Sequence, residues 1–177
     1  MTYVNAETQR IEDTIRGGER TIDEGLAYFS ECITNAEKEV EKDESDVENT
    51  KECIEALEDA ISIRTEESKR LSDEIGNLRD EEIKAHRDED ASSETSAQTM
   101  ADYYEKQRDA IDEEIMELNK SKDEMHSLER DQLQKLDSDR EILDGFLSDR
   151  SEFEARCEEI RESNVRLKKQ FDAVENK

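Results

Sequence analysis

The residues best suited to chemistry in this sequence are carboxylates, and one segment places them at the spacing of calcium ligands. Oxygen-bearing side chains recur there at alternate positions, at Asp88, Asp90, Ser92 and Glu94. An EF-hand calcium loop begins in the same way, but it then needs a glycine at its sixth position and a bidentate glutamate at its twelfth. Ser93 and Thr99 occupy those positions here. We therefore predict a weak metal site at Asp88, Asp90 and Glu94, with diffuse Ca²⁺ binding along the acidic surface favoured over it.

Catalytic constellations are absent from the sequence. It has no glycine-rich phosphate loop and no nucleophile elbow. Its two histidines, His86 and His126, are too far apart along a helix to share a metal ion. Acid–base catalysis needs carboxylates in desolvated settings, and most acids here lie off the apolar stripes. We predict that the protein is not an enzyme and requires no cofactor.

The three cysteines do not form a metal or redox motif, because Cys32, Cys53 and Cys157 are widely spaced. We interpret them as small apolar side chains at or beside a packing surface. Folding the chain near residue 94 would put Cys32 level with Cys157. Folding it near residue 42 would put Cys32 level with Cys53 instead.

The charge balance restricts the partners. With 52 acidic and 26 basic residues, the net charge is −26. Such a chain repels nucleic acids and anionic membrane surfaces, whereas cations and basic proteins remain suitable partners. No apolar run reaches the roughly 20 residues of a membrane span, so we expect no membrane insertion. The first ten residues also lack the layout of a signal peptide.

The elements that must position these residues are helices. Proline is absent and glycine occurs only five times, which favours helix over a disordered chain. Apolar residues recur at alternating steps of three and four, the pattern of a helix that buries one narrow stripe. We call this stripe the seam, and polar Asp43, Thr50, Arg64 and Ser68 fill some of its positions in the first half. The strongest predicted seam residues are Ile54, Leu57, Ile61, Leu71, Ile75, Phe146, Phe153, Ile160 and Phe171.

Composition changes suggest where the helices begin and end. Residues 88–97 hold no large apolar side chain, so they predict a loop, and Thr95 with Gln98 resembles a helix cap. The Gly17-Gly18 pair predicts a weaker break, and a phase slip is expected between Met125 and Leu136. The predicted organisation is a short N-terminal segment or helix (1–18), a first long arm (19–90), a loop (91–95) and a second long arm (96–177).

Two all-α architectures fit this pattern. The first is a long antiparallel helical hairpin, or coiled coil. The second is an elongated four-helix bundle with extra turns near residues 43–46 and 137–139. Large apolar residues make up about one residue in five, which suits a seam using about two positions in seven better than a bundle using about three. The hairpin is therefore the preferred prediction.

Acidity, absent proline, interrupted helical heptads and few cysteines together make the chain similar to the mature trichocyst matrix, or granule lattice, proteins of ciliates. The resemblance implies a structural protein of secretory granules that packs into a lattice and responds to calcium. We accordingly expect self-assembly with copies of itself or with related coiled-coil proteins. The alternative is a cytosolic coiled-coil adaptor or scaffold that docks a basic protein partner on its acidic face. Its location would then be cytoplasmic.

Overall fold

Two long helices make up the part of the chain that the structure describes. The structure, a computed structural model, describes the backbone of residues 2–175 and the side chains of residues 6 and 8–173. Helix α1 spans Thr2–Arg87, helix α2 spans Ala91–Glu175, and the described residues form no strand. The helices pack against each other as an antiparallel hairpin, which confirms the preferred prediction. The four-helix alternative is wrong, because both helices continue through its proposed turns.

The turn between the helices is shorter than predicted and lies earlier in the sequence. Glu89 adopts the left-handed conformation with φ at 59°, and the Asp90 N–H donates to the Ala85 carbonyl at 3.0 Å. Asp90 then caps α2, since its carboxylate accepts from the N–H groups of Ser92 and Ser93, each at 3.2 Å. The predicted loop at 91–95 is therefore wrong. Thr95 lies inside α2, and its hydroxyl donates to the Ala91 carbonyl.

The predicted break at Gly17-Gly18 is also wrong, because α1 passes through both glycines. Gly18 faces α2, where a Cβ atom would lie 3.0 Å from Ile160 Cγ2 and 3.1 Å from Asn164 Nδ2. Close packing of α2 at this position explains the glycine without any interruption of the helix. The first 18 residues are therefore not a separate helix in the described part of the chain.

The chain divides into two compact units, each a pair of antiparallel helical segments. The first unit combines α1 up to Glu44 with α2 from Gln134 onward. Phe153 is central to it: its ring packs 5.6 Å from that of Phe29, and it lies where a side chain on Gly25 would be. Cys157, one turn further along α2, is 1% exposed.

The second unit comprises Ser45–Leu133. Its core contains large aliphatic residues around Ile54, Leu71 and Ile75, but next to the turn it contains alanines. The buried alanines are Ala85, Ala97 and Ala101. Small side chains allow the two helices to approach closely where the chain reverses direction.

Buried and half-buried positions in α2 follow the three-and-four spacing without interruption. The predicted phase slip between Met125 and Leu136 is therefore wrong: Glu129 and Gln132 occupy the intervening seam positions. In α1 the spacing contains two successive steps of four, from Gly18 to Ile22 and on to Leu26. Such an extra step is a stutter, which locally changes how a helix winds around its neighbour.

Gly25→Ala tests the contact with Phe153. The added Cβ would lie 2.1 Å from Phe153 Cζ, so we expect the free energy of unfolding to fall by about 1–3 kcal/mol through overpacking. Gly145→Ala is the matched control, because nothing lies within 4 Å of its added Cβ. That variant should gain about 0.5–1 kcal/mol from helix propensity. Urea unfolding followed by circular dichroism measures both changes, and a stabilised Gly25→Ala would contradict the packing.

Candidate assembly surface

All nine predicted seam residues lie at buried or half-buried positions. Three are buried, namely Ile54, Leu71 and Ile75. The other six are half-buried, namely Leu57 and Ile61 on α1 and the four seam residues on α2. A pair of helices covers each seam side chain from one direction only, so partial exposure is the expected state of a two-helix core.

Replacing Ile54 by aspartate tests whether the seam stabilises the fold. Ile54 is 6% exposed, whereas Ile63, on the same helix, is 67% exposed. Ile54→Asp would bury an unpaired charge and should lower the free energy of unfolding by roughly 2–4 kcal/mol. Ile63→Asp should change the free energy of unfolding by less than about 0.5 kcal/mol when it is measured on dilute protein. Equal urea midpoints for the two variants would contradict the assignment of Ile54 to the seam.

A buried seam position in the first unit holds a carboxylate. Asp43 is buried, and its carboxylate accepts a hydrogen bond from the Lys135 ammonium, which also lies 3.5 Å from Asp139. The hydrogen bond from Lys135 lowers the pKa of Asp43, although burial acts in the opposite direction. Beside this cluster, Arg140 pairs with Glu44 at 2.7 Å. These contacts join α1 to α2 through charge where the seam lacks apolar side chains.

Lys135→Met tests this charged contact through its pH dependence. Because Lys135 lowers the pKa of Asp43 in the folded state, the unfolded state binds the proton more tightly. The resulting stability is present above the ordinary aspartate pKa of about 4 and is lost as pH falls below it. The stability gap between wild type and Lys135→Met should therefore be largest at neutral pH and should close in acid.

Lys120→Met provides the control for this experiment. The Lys120 side chain is exposed and approaches only Glu124 of the same helix, at 3.8 Å, among the contacts of the described residues. Its removal should leave a small stability gap with little dependence on pH. If thermal melts gave Lys135→Met the same pH profile as this control, the ion pair would not contribute to stability.

In the second unit, basic side chains bridge the two helices to several carboxylates. Arg79 on α1 lies 2.9 Å from Asp102 and 3.1 Å from Glu105 of α2, as well as 2.9 Å from Glu82. These hydrogen bonds, with that to Glu82 the largest contribution, raise the pKa of Arg79. Arg64 likewise reaches Glu114 of α2 at 3.0 Å. Each bridging cation neutralises acids that would otherwise repel one another across the hairpin.

Two of the three predicted calcium ligands, Asp90 and Glu94, have carboxylates engaged in other contacts. The Asp90 carboxylate caps α2, and the Ser93 hydroxyl, followed by the backbone N–H groups, lowers its pKa. Glu94 Oε1 lies 3.0 Å from His86 Nδ1. The Asp88 N–H closes the end of α1 by donating to the Lys84 carbonyl. Among the described residues, no group of three acidic, histidine or cysteine side chains is arranged to hold a metal ion.

All three cysteines are free thiols. Cys157 is buried, Cys32 is half-buried and Cys53 is exposed. The prediction that Cys32 lies level with Cys157 is wrong: Phe153 packs between Gly25 and Phe29, so Cys157 lies level with residues before Gly25. Cys32 lies beyond Phe29 in the other direction. The misplaced turn caused the error, because moving a turn changes the register of every pair that faces across the hairpin.

Large apolar side chains also lie outside the seam, at positions that the seam spacing did not predict. The exposed ones are Tyr28, Ile63, Ile83, Met100, Tyr103, Met116, Leu128, Leu133, Ile142, Leu147 and Val165. In the second unit, Ile63 and Ala60 of α1 line an open groove together with Leu118 and Ser121 of α2, and the charged residues Arg64, Glu114 and Glu117 complete its lining. Exposed apolar side chains bordered by charged ones are a feature that interaction sites share.

Comparisons of the chain with protein-family models, with curated proteins and with solved structures gave no match. Within the described residues, neither helix has a segment that is both long and apolar enough to cross a membrane. The features of the chain that bear on function are therefore the groove, the exposed apolar side chains and the acidic surface.

Proposed function

We propose that this protein is a structural, non-catalytic component that assembles with copies of itself or with related coiled-coil proteins. The observation that carries this proposal is the coexistence of exposed apolar side chains with a large excess of acid. Ile63 and Met116 are 67% and 73% exposed, which favours association, while the charge of −26 opposes it. The balance between these forces sets when the chains associate.

The acid excess supports a role for cations in this balance. Acidic residues outnumber basic ones two to one, so half of the carboxylates have no basic residue in the chain to neutralise them, even if every basic residue pairs once. The runs Asp112–Glu114 and Glu66–Glu67 place acids at successive positions of α2 and α1, and Arg64 is shared between one acid of each run, Glu114 and Glu67. Divalent cations bound diffusely along such runs lower the repulsion between two copies.

The state of the carboxylates supports a structural role over a catalytic one. A general acid needs a raised pKa, produced by desolvation or by a neighbouring negative charge. Asp43 and Asp90 have lowered pKa values instead, because Lys135 and Ser93 donate hydrogen bonds to them. Both carboxylates are held ionised in contacts that join or cap the helices.

The similarity to granule lattice proteins adds a setting to this proposal. A secretory granule stores its contents at high concentration, where weak contacts between helical hairpins suffice to build a lattice. In that setting, calcium would control how closely neighbouring acidic surfaces pack. A cytoplasmic adaptor that binds a basic protein is the alternative, and the net charge of −26 is the observation that favours it.

Sedimentation velocity across a range of protein concentrations tests the proposal. We expect millimolar CaCl₂ to raise the sedimentation coefficient, and EDTA to reverse the change, because bound cations reduce repulsion between copies. NaCl at matched ionic strength is the control and should produce a smaller increase. A monomer at every concentration, unaffected by calcium, would contradict self-assembly. A stoichiometric, salt-sensitive complex with a purified basic protein would then support the adaptor.

A further inference from the structure

The groove in the second unit continues along α1 as an apolar face distinct from the seam. Its residues recur at steps of three and four and are Cys53, Ala56, Ala60 and Ile63. The neighbouring seam residues, Ile54 and Ile61, turn toward α2, whereas Ile63 is 67% exposed. We call these four residues the second face of α1.

Helix α2 extends this surface. Ala60 and Ser121 line the groove together. Cys53 lies one heptad before Ala60 on α1, and Leu128 lies one heptad after Ser121 on α2. Because the two helices are antiparallel, Cys53 and Leu128 are neighbours. Leu128 is exposed, as is Cys53. One end of the second face therefore has Cys53 on α1 and the apolar Leu128 beside it on α2.

We propose that this surface docks on the same surface of a second copy of the chain, with the two α1 helices antiparallel. This inference rests on the proposed self-assembly and specifies where it occurs. A twofold axis between Ala56 and Ala60 places Ala56 opposite Ala60 of the second copy. It also places Ile63 opposite the second copy's Cys53, near the second copy's Leu128. Large side chains thus meet small ones, and the alanines at the axis allow the helices to approach closely.

Charges on either side of the second face select this orientation. The same axis brings Arg70 opposite Asp46 of the second copy, and Glu67 opposite Asn49. Both arrangements occur twice, once on each side of the axis. Parallel helices in register would instead place Asp46 against Asp46, Glu67 against Glu67 and Arg70 against Arg70. Opposite charges across an interface favour the antiparallel arrangement, while the like-charge contacts disfavour the parallel one.

The size of the surface predicts a weak, reversible dimer. Only a few side chains on each copy are apolar, so the interface is small compared with those of permanent dimers. Long-range repulsion between two chains of charge −26 further opposes association. Dimerisation should therefore require high protein concentration or screening by cations, the conditions under which the proposed assembly takes place.

Disulfide trapping tests the proposed register. Ile63→Cys places a new thiol opposite Cys53 of the second copy, within the Cα separation of about 4–7 Å that a disulfide needs. Mild oxidation of concentrated protein with calcium should yield a covalent dimer at least several-fold more abundantly than for wild type. Wild type should not link through Cys53 alone, because the two Cys53 residues would be ten residues apart along the axis, about 15 Å.

Two controls make the experiment specific. Met116→Cys adds an equally exposed thiol elsewhere in the same unit and should not exceed the wild-type level of dimer. Ile63→Cys combined with Cys53→Ser should lose the linked dimer. A yield equal to that of Met116→Cys, or one that persists without Cys53, would overturn the proposed register.

Sedimentation of wild type under the same conditions separates failure of this surface from failure of the proposed function. If Ile63→Cys sediments like wild type, associating with calcium, but does not cross-link, the second face is wrong and self-assembly stands. If wild type stays monomeric at every concentration, both proposals fail. The substitution is made at an exposed position, and circular dichroism confirms that the variant retains its helices.

Discussion

The structure depends on a seam that is only two positions wide in each heptad. Two helices cannot enclose more than one stripe of side chains, so most of the remaining surface meets water. That surface tolerates the acid excess because water weakens repulsion between exposed charges to a small fraction of its value in a protein interior. The same carboxylates could not be accommodated in a globular core of comparable size.

A narrow apolar seam leaves the register of the helices weakly determined, because a shift by one heptad again brings apolar side chains together. In the first unit, specific contacts determine the register. Phe153 requires the absence of a side chain at Gly25, and Asp43 requires the cation of Lys135. A shifted register would place other side chains against the Phe153 ring and leave the Asp43 carboxylate buried without its cation. The polar and glycine positions therefore specify the pairing that the apolar positions stabilise.

The periodicity of the sequence was sufficient to predict the hairpin, because burial of a helix stripe follows directly from spacing. The nine seam residues that we named lie at buried or half-buried positions. The errors arose where a residue's role depends on what faces it across the hairpin. Gly18 was interpreted as a break because it supplies no seam side chain. Ile160, which packs against it, is distant in sequence. The phase slip was inferred because Glu129 and Gln132 are polar. The turn was misplaced because Asp90 and Thr95 both suit a helix cap.

The candidate assembly surface was harder to predict for a related reason. The spacing of Cys53, Ala56, Ala60 and Ile63 is visible in the sequence, but only the packing of α2 shows which of two adjacent stripes remains exposed. Association of two such surfaces would depend on the distance over which their charges interact as well as on the sign of those charges. At physiological ionic strength, interactions beyond about 8 Å are largely screened. Screening removes the general repulsion between two acidic copies first, while the proposed close contacts of Arg70 with Asp46 of the second copy persist. The ions that neutralise the surface therefore also favour its self-recognition.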